Sequence, residues 1–126
     1  MSDEEIERKI AVIFATDVVG YSKHMEANEV QTLKNLRACR EILEGLFKQH
    51  GGRTFNTAGD SVLGEFSSAV SAVVCASEFQ DLIKERNQSN DNNLKMEFRI
   101  GINMGDVVQE KGNLYGEGVN LSLIHI

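Results

Sequence analysis

This chain is predicted to take an α+β fold of the ferredoxin-like type, with helices on one face of an antiparallel-rich sheet. Three observations lead there. The segment types run strand, helix, hairpin, helix, strand, strand, an order that suits two layers sharing one core. The turn Ala58-Gly59-Asp60 joins two short strand patterns, so the middle strands pair as neighbours. A hairpin at that point leaves no room for the crossover helix that a doubly wound parallel sheet requires.

Lys9–Ala15 (KIAVIFA) is a nearly continuous apolar run rich in β-branched residues, as expected of a strand buried on both faces. Asp17 and Gly20 break the run, and the segment from Asp17 to Ser22 reads as a loop leading towards a helix. That helix is expected from about Asn28, where Asn28 and Gln31 form a capping box. Its apolar positions are Val30, Leu33, Leu36, Cys39, Leu43, Leu46 and Phe47, and Gly51-Gly52 ends it. Arg53–Thr57 and Ser61–Phe66 form the hairpin strands. Ser67 and Ser68 offer N-caps for a second helix with an apolar stripe at Val70, Val73, Val74, Cys75, Phe79, Leu82 and Ile83. The polar stretch Glu85–Asn93 reads as a loop. From Leu94 to Met104 apolar and polar residues alternate, which predicts a strand with one buried face. Gly105–Gln109 is expected as a separate strand after it.

Composition narrows the function. The 126 residues, 41% apolar and 25% charged, suit one domain, and no low-complexity tract, repeat or linker interrupts them. The longest apolar runs, such as Ile10–Ala15, fall far short of the roughly 18 residues that a membrane span needs. From the acidic start Met1–Glu5 no secretory or organellar signal is expected. Cys39 and Cys75 lie in helical patterns without metal-ligand spacing, so reduced thiols and a cytoplasmic location are expected. A formal charge of −6 disfavours nucleic acid as the partner. An acidic chain still binds a polyphosphate when it supplies metal ions.

Two aspartates carry the candidate chemistry. Asp17 closes the first strand and Asp60 tips the hairpin, whose strand pairs beside the first in this topology. Carboxylates brought to one sheet edge repel each other unless cations or protons intervene, and hard oxygen ligands suit Mg²⁺ or Mn²⁺. The loop after Asp17 passes through Gly20, where backbone N–H groups can receive phosphate oxygens. Two metals beside a phosphate-cradling loop suit in-line attack at phosphorus. Taken singly, Asp17 reads first as a turn cap and Asp60 as the filler of a tight turn.

Four motifs taken together resemble class III nucleotidyl cyclases: Phe14-Ala15-Thr16-Asp17-Val18-Val19-Gly20-Tyr21-Ser22, Thr57-Ala58-Gly59-Asp60, Arg99-Ile100-Gly101-Ile102-Asn103-Met104-Gly105 and Tyr115-Gly116-Glu117-Gly118-Val119-Asn120. They stand in the family's order and spacing over about residues 8–120. The resemblance implies a catalytic domain that turns ATP or GTP into a 3′,5′-cyclic nucleotide and pyrophosphate for signalling. It also implies a head-to-tail homodimer with sites at the interface and two Mg²⁺ or Mn²⁺ ions per site. By the same resemblance Asp17 and Asp60 are the metal ligands, joined by the Val18 carbonyl. Val19, Gly20 and Tyr21 form the phosphate loop, and Asn120 positions the ribose.

The chain departs from the family pattern in two places. The family selects its purine with a lysine and an acidic residue on the partner subunit. Asn56 and Asn113 stand at those positions, and an amide offers both donor and acceptor, so the choice of purine stays open with ATP preferred. The family also carries an arginine four residues past its asparagine, where this chain has Ile124. Leu121-Ser122-Leu123-Ile124-His125-Ile126 reads like an in-frame translation of a sequencing-library transposon adapter. The expectation is therefore a partial cyclase domain over 8–120, incomplete at its C-terminus, with a non-native tail at 121–126 in which His125 has no role. On this reading the fragment itself is inactive.

The competing function is a degenerate, non-catalytic nucleotide-binding or dimerisation module, which Asn56, Asn113 and Ile124 favour. A diguanylate-cyclase-like domain would need a Gly-Gly-Asp/Glu-Glu-Phe type hairpin, and Thr57–Ser61 supplies none. Among lesser candidates, His24 reads as a surface residue and His50 as a dipole partner at a helix end. Cys39 and Cys75 read as core, and Lys23 and Lys34 as helix-face charges, with Lys23 able to approach a triphosphate.

Overall fold

The computed structural model describes residues 6–89, 95–110, 113–115 and 124–125. Strand β1 (Ile6–Val18) is followed by α1 (Tyr21–Ala27), α2 (Glu29–His50), β2 (Gly52–Ala58), β3 (Ser61–Phe66), α3 (Ala69–Ser89), β4 (Phe98–Glu110), β5 (Asn113–Tyr115) and β6 (Ile124–His125). The sheet order is β2-β3-β1-β4-β5, with β6 also on β4, and the pairings are antiparallel. This is the α+β arrangement expected from the sequence.

β1 is central because both of its faces are covered. Val12, Phe14 and Val18 turn towards α2 and α3 and pack with Leu36, Leu43, Phe47, Phe66 and Phe79. Edge-on ring contacts tie the layers together, with Phe14–Phe47 centroids 5.1 Å apart and Phe47–Phe66 centroids 5.2 Å apart. The space is filled so closely that a Cβ on Gly64 would lie 2.6 Å from the Phe47 ring. On the other face Ala11, Ile13 and Val107 form a smaller cluster. A bulge between Thr54 and Asn56 shifts the β2–β3 register, and Phe55, at that shift, packs onto the same cluster. Strands β2 and β5, at opposite ends of the sheet order, also touch.

The N-cap expected at Asn28 is present, its Oδ1 accepting from the Gln31 N–H at 3.0 Å, and α2 ends at Gly51 with φ 77°. Ser68 likewise accepts from the Ser71 N–H at 3.2 Å, although α3 itself begins at Ala69.

Several expectations need correction. The segment after Asp17 is not a long loop, since α1 begins directly at Tyr21. The stripe assigned to α3 is rotated: Ala72, Cys75, Ala76, Phe79 and Ile83 are buried, whereas Val70 is 73% exposed and Val73, Val74 and Leu82 are exposed with it. On α2, Val30 and Leu33 are exposed and Thr32 and Asn35 take the buried positions.

The polar stretch read as a loop continues α3 to Ser89, because its side chains have partners. Asn87 donates to the Met96 carbonyl at 2.9 Å and accepts from its N–H at 3.1 Å, while Arg86 donates to Asn35 Oδ1 at 2.9 Å. The two strands expected after Leu94 are one strand starting at Phe98, since Gly105 continues the ladder opposite Ala11. Leu94 lies outside the described residues. The alternation loses its buried face at Met104, which is 56% exposed, and Ile10 on the neighbouring strand is exposed as well.

Candidate functional site

The ladder between β1 and β4 sets which way the first aspartate points. Residues alternate across a strand, so Ala11, Ile13, Ala15 and Asp17 share the face away from the core helices. Asp17 lies directly opposite Arg99. Asp60 reaches the same place from the β2–β3 turn, where Gly59 has φ 56°. Its Oδ2 accepts the Val18 N–H at 2.9 Å. From α2, Arg40 Nη2 donates to the Gly59 carbonyl at 2.8 Å, which fixes the turn that presents Asp60. The two aspartates, separate in sequence, thus flank one peptide at the end of β1.

Arg99 is the residue that the sequence reading passed over as a functional group. Its guanidinium grips Asp17 at both oxygens, Nε to Oδ1 at 2.8 Å and Nη2 to Oδ2 at 2.6 Å. The Asp17 side chain is mostly covered, at 17% exposure, while the Arg99 side chain is 43% exposed. The hydrogen bonds that Arg99 donates to Asp17, then the Asp17 charge, then the charge of Asp60 push the Arg99 pKa up. Thr16, fully buried, donates its hydroxyl to the Arg99 carbonyl at 2.7 Å and pins the backbone beneath the pair. The sequence held a usable signal: in this topology β1 and β4 are neighbours, and Arg99 opens β4 as Asp17 closes β1.

Past Val18 the chain turns at Gly20 (φ 66°, ψ 34°) into α1. Such a left-handed conformation favours glycine. The Val19 N–H donates to the Glu97 carbonyl at 2.8 Å, so that amide is committed within the protein. Gly20 and Tyr21 follow at the start of α1, with Gly20's carbonyl accepting from the His24 N–H at 3.1 Å.

The base-pocket candidates are set apart from the aspartates to different degrees. Asn56 is exposed on β2 and pairs with Leu63 beside Ala15, so it shares the face of Asp17. Asn113 pairs with Glu110 at the far end of β4, roughly 35 Å along that strand from Arg99. Asn120 lies outside the described residues. Ile124 and His125 pair in backbone with Ile100 and Arg99.

Among the described residues no three His, Cys, Asp or Glu side chains gather as a metal cage. Mg²⁺ commonly takes one or two carboxylates and completes its shell with water and substrate phosphates, so the donor set of Asp17, Asp60 and the Val18 carbonyl is adequate. That an arginine cation already bridges to this spot is the structure's own sign that it attracts positive charge.

The lesser candidates go elsewhere. Lys23 and Lys34 are exposed and His24 is half-buried. His50 Nε2 lies 2.9 Å from Glu78 Oε2 on α3, so its partner is a side chain as well as a helix end. Cys39 and Cys75 are buried free thiols. Burial pushes both pKa values up, that of Cys75 to about 11. Among the described residues no helix is long and apolar enough to cross a membrane.

Comparison with known proteins gives a consistent picture. The family model described as "Adenylate and Guanylate cyclase catalytic domain" matches residues 3–121. A Rhizobium meliloti protein named "Putative adenylate cyclase 3" is 42% identical over 97% of this chain, and an adenylate cyclase of Streptomyces coelicolor is 31% identical over 95%. The chain spans only 21% and 30% of those relatives' lengths. Among solved structures, an adenylate/guanylate cyclase/hydrolase from Silicibacter pomeroyi superposes with a TM-score of 0.83 at 37% identity, covering 91% of this chain and 67% of that one.

Proposed function

We propose that this chain, which belongs to the adenylate and guanylate cyclase catalytic domain family, supplies the site at which a purine nucleoside triphosphate is cyclised. The products are a 3′,5′-cyclic nucleotide and pyrophosphate, used in signalling. The observation that carries this reading is the meeting of Asp17 and Asp60 about the Val18 peptide. Asp17, Asp60 and the Val18 carbonyl would hold Mg²⁺ or Mn²⁺. The bound ions would polarise the phosphates and the attacking ribose hydroxyl.

The rest of the site follows from what each residue can offer. With the Val19 amide committed to Glu97, Gly20 and Tyr21 are left to meet phosphate oxygens, and Asn120 is assigned to the ribose. Asn56 and Asn113 read the base. The distance between Asn113 and Asp17 along β4 supports a head-to-tail homodimer, in which one copy contributes the aspartates and the other the base pocket. ATP is the favoured substrate, since the Rhizobium meliloti and Streptomyces coelicolor relatives are named as adenylate cyclases, with GTP as the competitor. A cytoplasmic location accords with the reduced thiols. The catalytic unit is assigned to residues 8–120 and the segment 121–126 to a foreign tail, which the coding DNA would decide.

A non-catalytic module is the second reading. It is favoured by Asn56 and Asn113, which stand where the family has a lysine and an acidic residue. The deciding assay is cyclic nucleotide formation from ATP and from GTP with Mn²⁺, using the full-length protein, its Asp17→Asn variant and the present 126 residues. Turnover by the first alone supports the cyclase and an inactive fragment. Nucleotide binding without turnover by the full-length protein supports the module.

A further inference from the structure

We propose that Arg99 is a built-in competitor of the divalent cation, holding Asp17 in the metal-free protein and having to let go before a metal ion can bind. The inference rests on the reading of Asp17 and Asp60 as metal ligands. Both Asp17 oxygens are occupied by the guanidinium, at 2.8 and 2.6 Å, so a cation approaching Asp17 meets a carboxylate whose charge is already matched. A bidentate pair of this kind is geometrically specific and stronger than a single contact.

The pair is also built to open. Its anionic half is mostly covered while its cationic half is 43% exposed. The guanidinium therefore has water beside it and loses little solvation on leaving. The backbone does not need to move, because the Thr16 hydroxyl and the strand ladder hold the Arg99 main chain independently of its side chain. Arg99 is thus a positioning residue: it holds both Asp17 oxygens in place at the site, and it raises the metal concentration at which the site fills.

A residue that only supported the site would weaken metal binding when removed; a competitor must strengthen it. Mn²⁺ alone, titrated into the full chain and followed by electron paramagnetic resonance, separates the two. Arg99→Met should bind Mn²⁺ about fivefold to tenfold more tightly than the unaltered chain. Arg99→Lys, which keeps the charge but loses the fork, should fall between them. The second readout is the Arg99 Nε–H signal in a ¹H–¹⁵N spectrum, assigned by its loss in Arg99→Lys. It should shift on adding Mg²⁺, and shift in the same direction in metal-free Asp17→Asn.

Equal or weaker Mn²⁺ binding by folded Arg99→Met, with binding still lost in Asp17→Asn, would overturn the competition and leave the metal-site reading standing. Mn²⁺ binding unchanged in Asp17→Asn would overturn both. Should Arg99→Met fail to fold, an Arg99 signal that ignores saturating Mg²⁺ overturns the proposal by itself.

Discussion

The main-chain N–H of Val18 donates to Asp60 Oδ2 at 2.9 Å, across 42 residues of sequence. One oxygen of a candidate metal ligand is therefore also a structural acceptor for a buried strand end, and charge and hydrogen bonding at Asp60 can be separated by mutation. Asp60→Asn keeps an acceptor and should unfold within about 1 kcal/mol of the unaltered chain, while Asp60→Ala leaves a buried donor unpaired and should cost about 1–3 kcal/mol. Both should lose Mn²⁺ binding and, in the full-length protein, turnover. Urea unfolding alongside Mn²⁺ titration tests this; an Asp60→Asn protein that still binds the ion tightly would refute the assignment.

Substrate choice should respond to the two asparagines. A lysine and a carboxylate would reject the wrong purine by leaving it with unmatched polar groups, whereas an amide offers donor and acceptor together. The full-length protein should prefer ATP over GTP by only about tenfold to a hundredfold in kcat/KM. Asn56→Lys with Asn113→Asp should widen that ratio. Competition assays with both nucleotides measure it, and an unchanged ratio would place base recognition elsewhere.

Gly64 is held to its identity by crowding, since an added Cβ would sit 2.6 Å from one Phe47 ring carbon and 2.8 Å from another. Gly64→Ala should therefore destabilise the chain by about 1–3 kcal/mol through overpacking. Shrinking the partner should relieve it, so Gly64→Ala with Phe47→Leu ought to cost less than the sum of the single changes. Strict additivity in denaturant melts would count against the contact.

Alkaline pH should weaken the fold through Cys75. Burial first, and the Glu78 charge second, push its thiol from 9.0 up to about 11. The unfolded chain then ionises before the folded one does. Stability from this group is whole below pH 9 and declines as pH rises to about 11, at roughly 1.4 kcal/mol per pH unit. Urea unfolding at pH 8 and pH 10.5 should show a steeper loss in the unaltered chain than in Cys75→Ala. Parallel losses would exclude the thiol as the cause.

Much of this architecture was legible because local chemistry and tertiary role agree. The β-branched run of β1, the Asn28 cap and the Gly59-Asp60 turn each specify their element without help from distant residues. The misreadings share one cause, which is partnership across the fold. Glu85–Ser89 looked like a loop because its polar groups seemed unplaced, yet Asn87 binds the Met96 backbone and Arg86 binds Asn35. Val70 reads as part of the buried stripe, yet the packing of the helices leaves it exposed. At the site, the motifs single out Asp17 and Asp60 as candidates, but Arg99 gains its meaning only from the strand register that sets it against Asp17.

That register has a consequence for which changes of length the chain can absorb. From Ile6 opposite Glu110 to Val18 opposite Phe98, β1 and β4 run in step without a break. Side chains change face at every residue, so a single residue inserted between Ile6 and Asp17 leaves the chain two options. It can extrude the extra residue as a bulge, or shift phase and swing the carboxylate under the helices, away from Asp60. The ladder works as a ruler on which the aspartate is one marked graduation. Substitutions along its exposed stretch, at Ile10 or Met104, leave that scale intact; insertions and deletions move the mark.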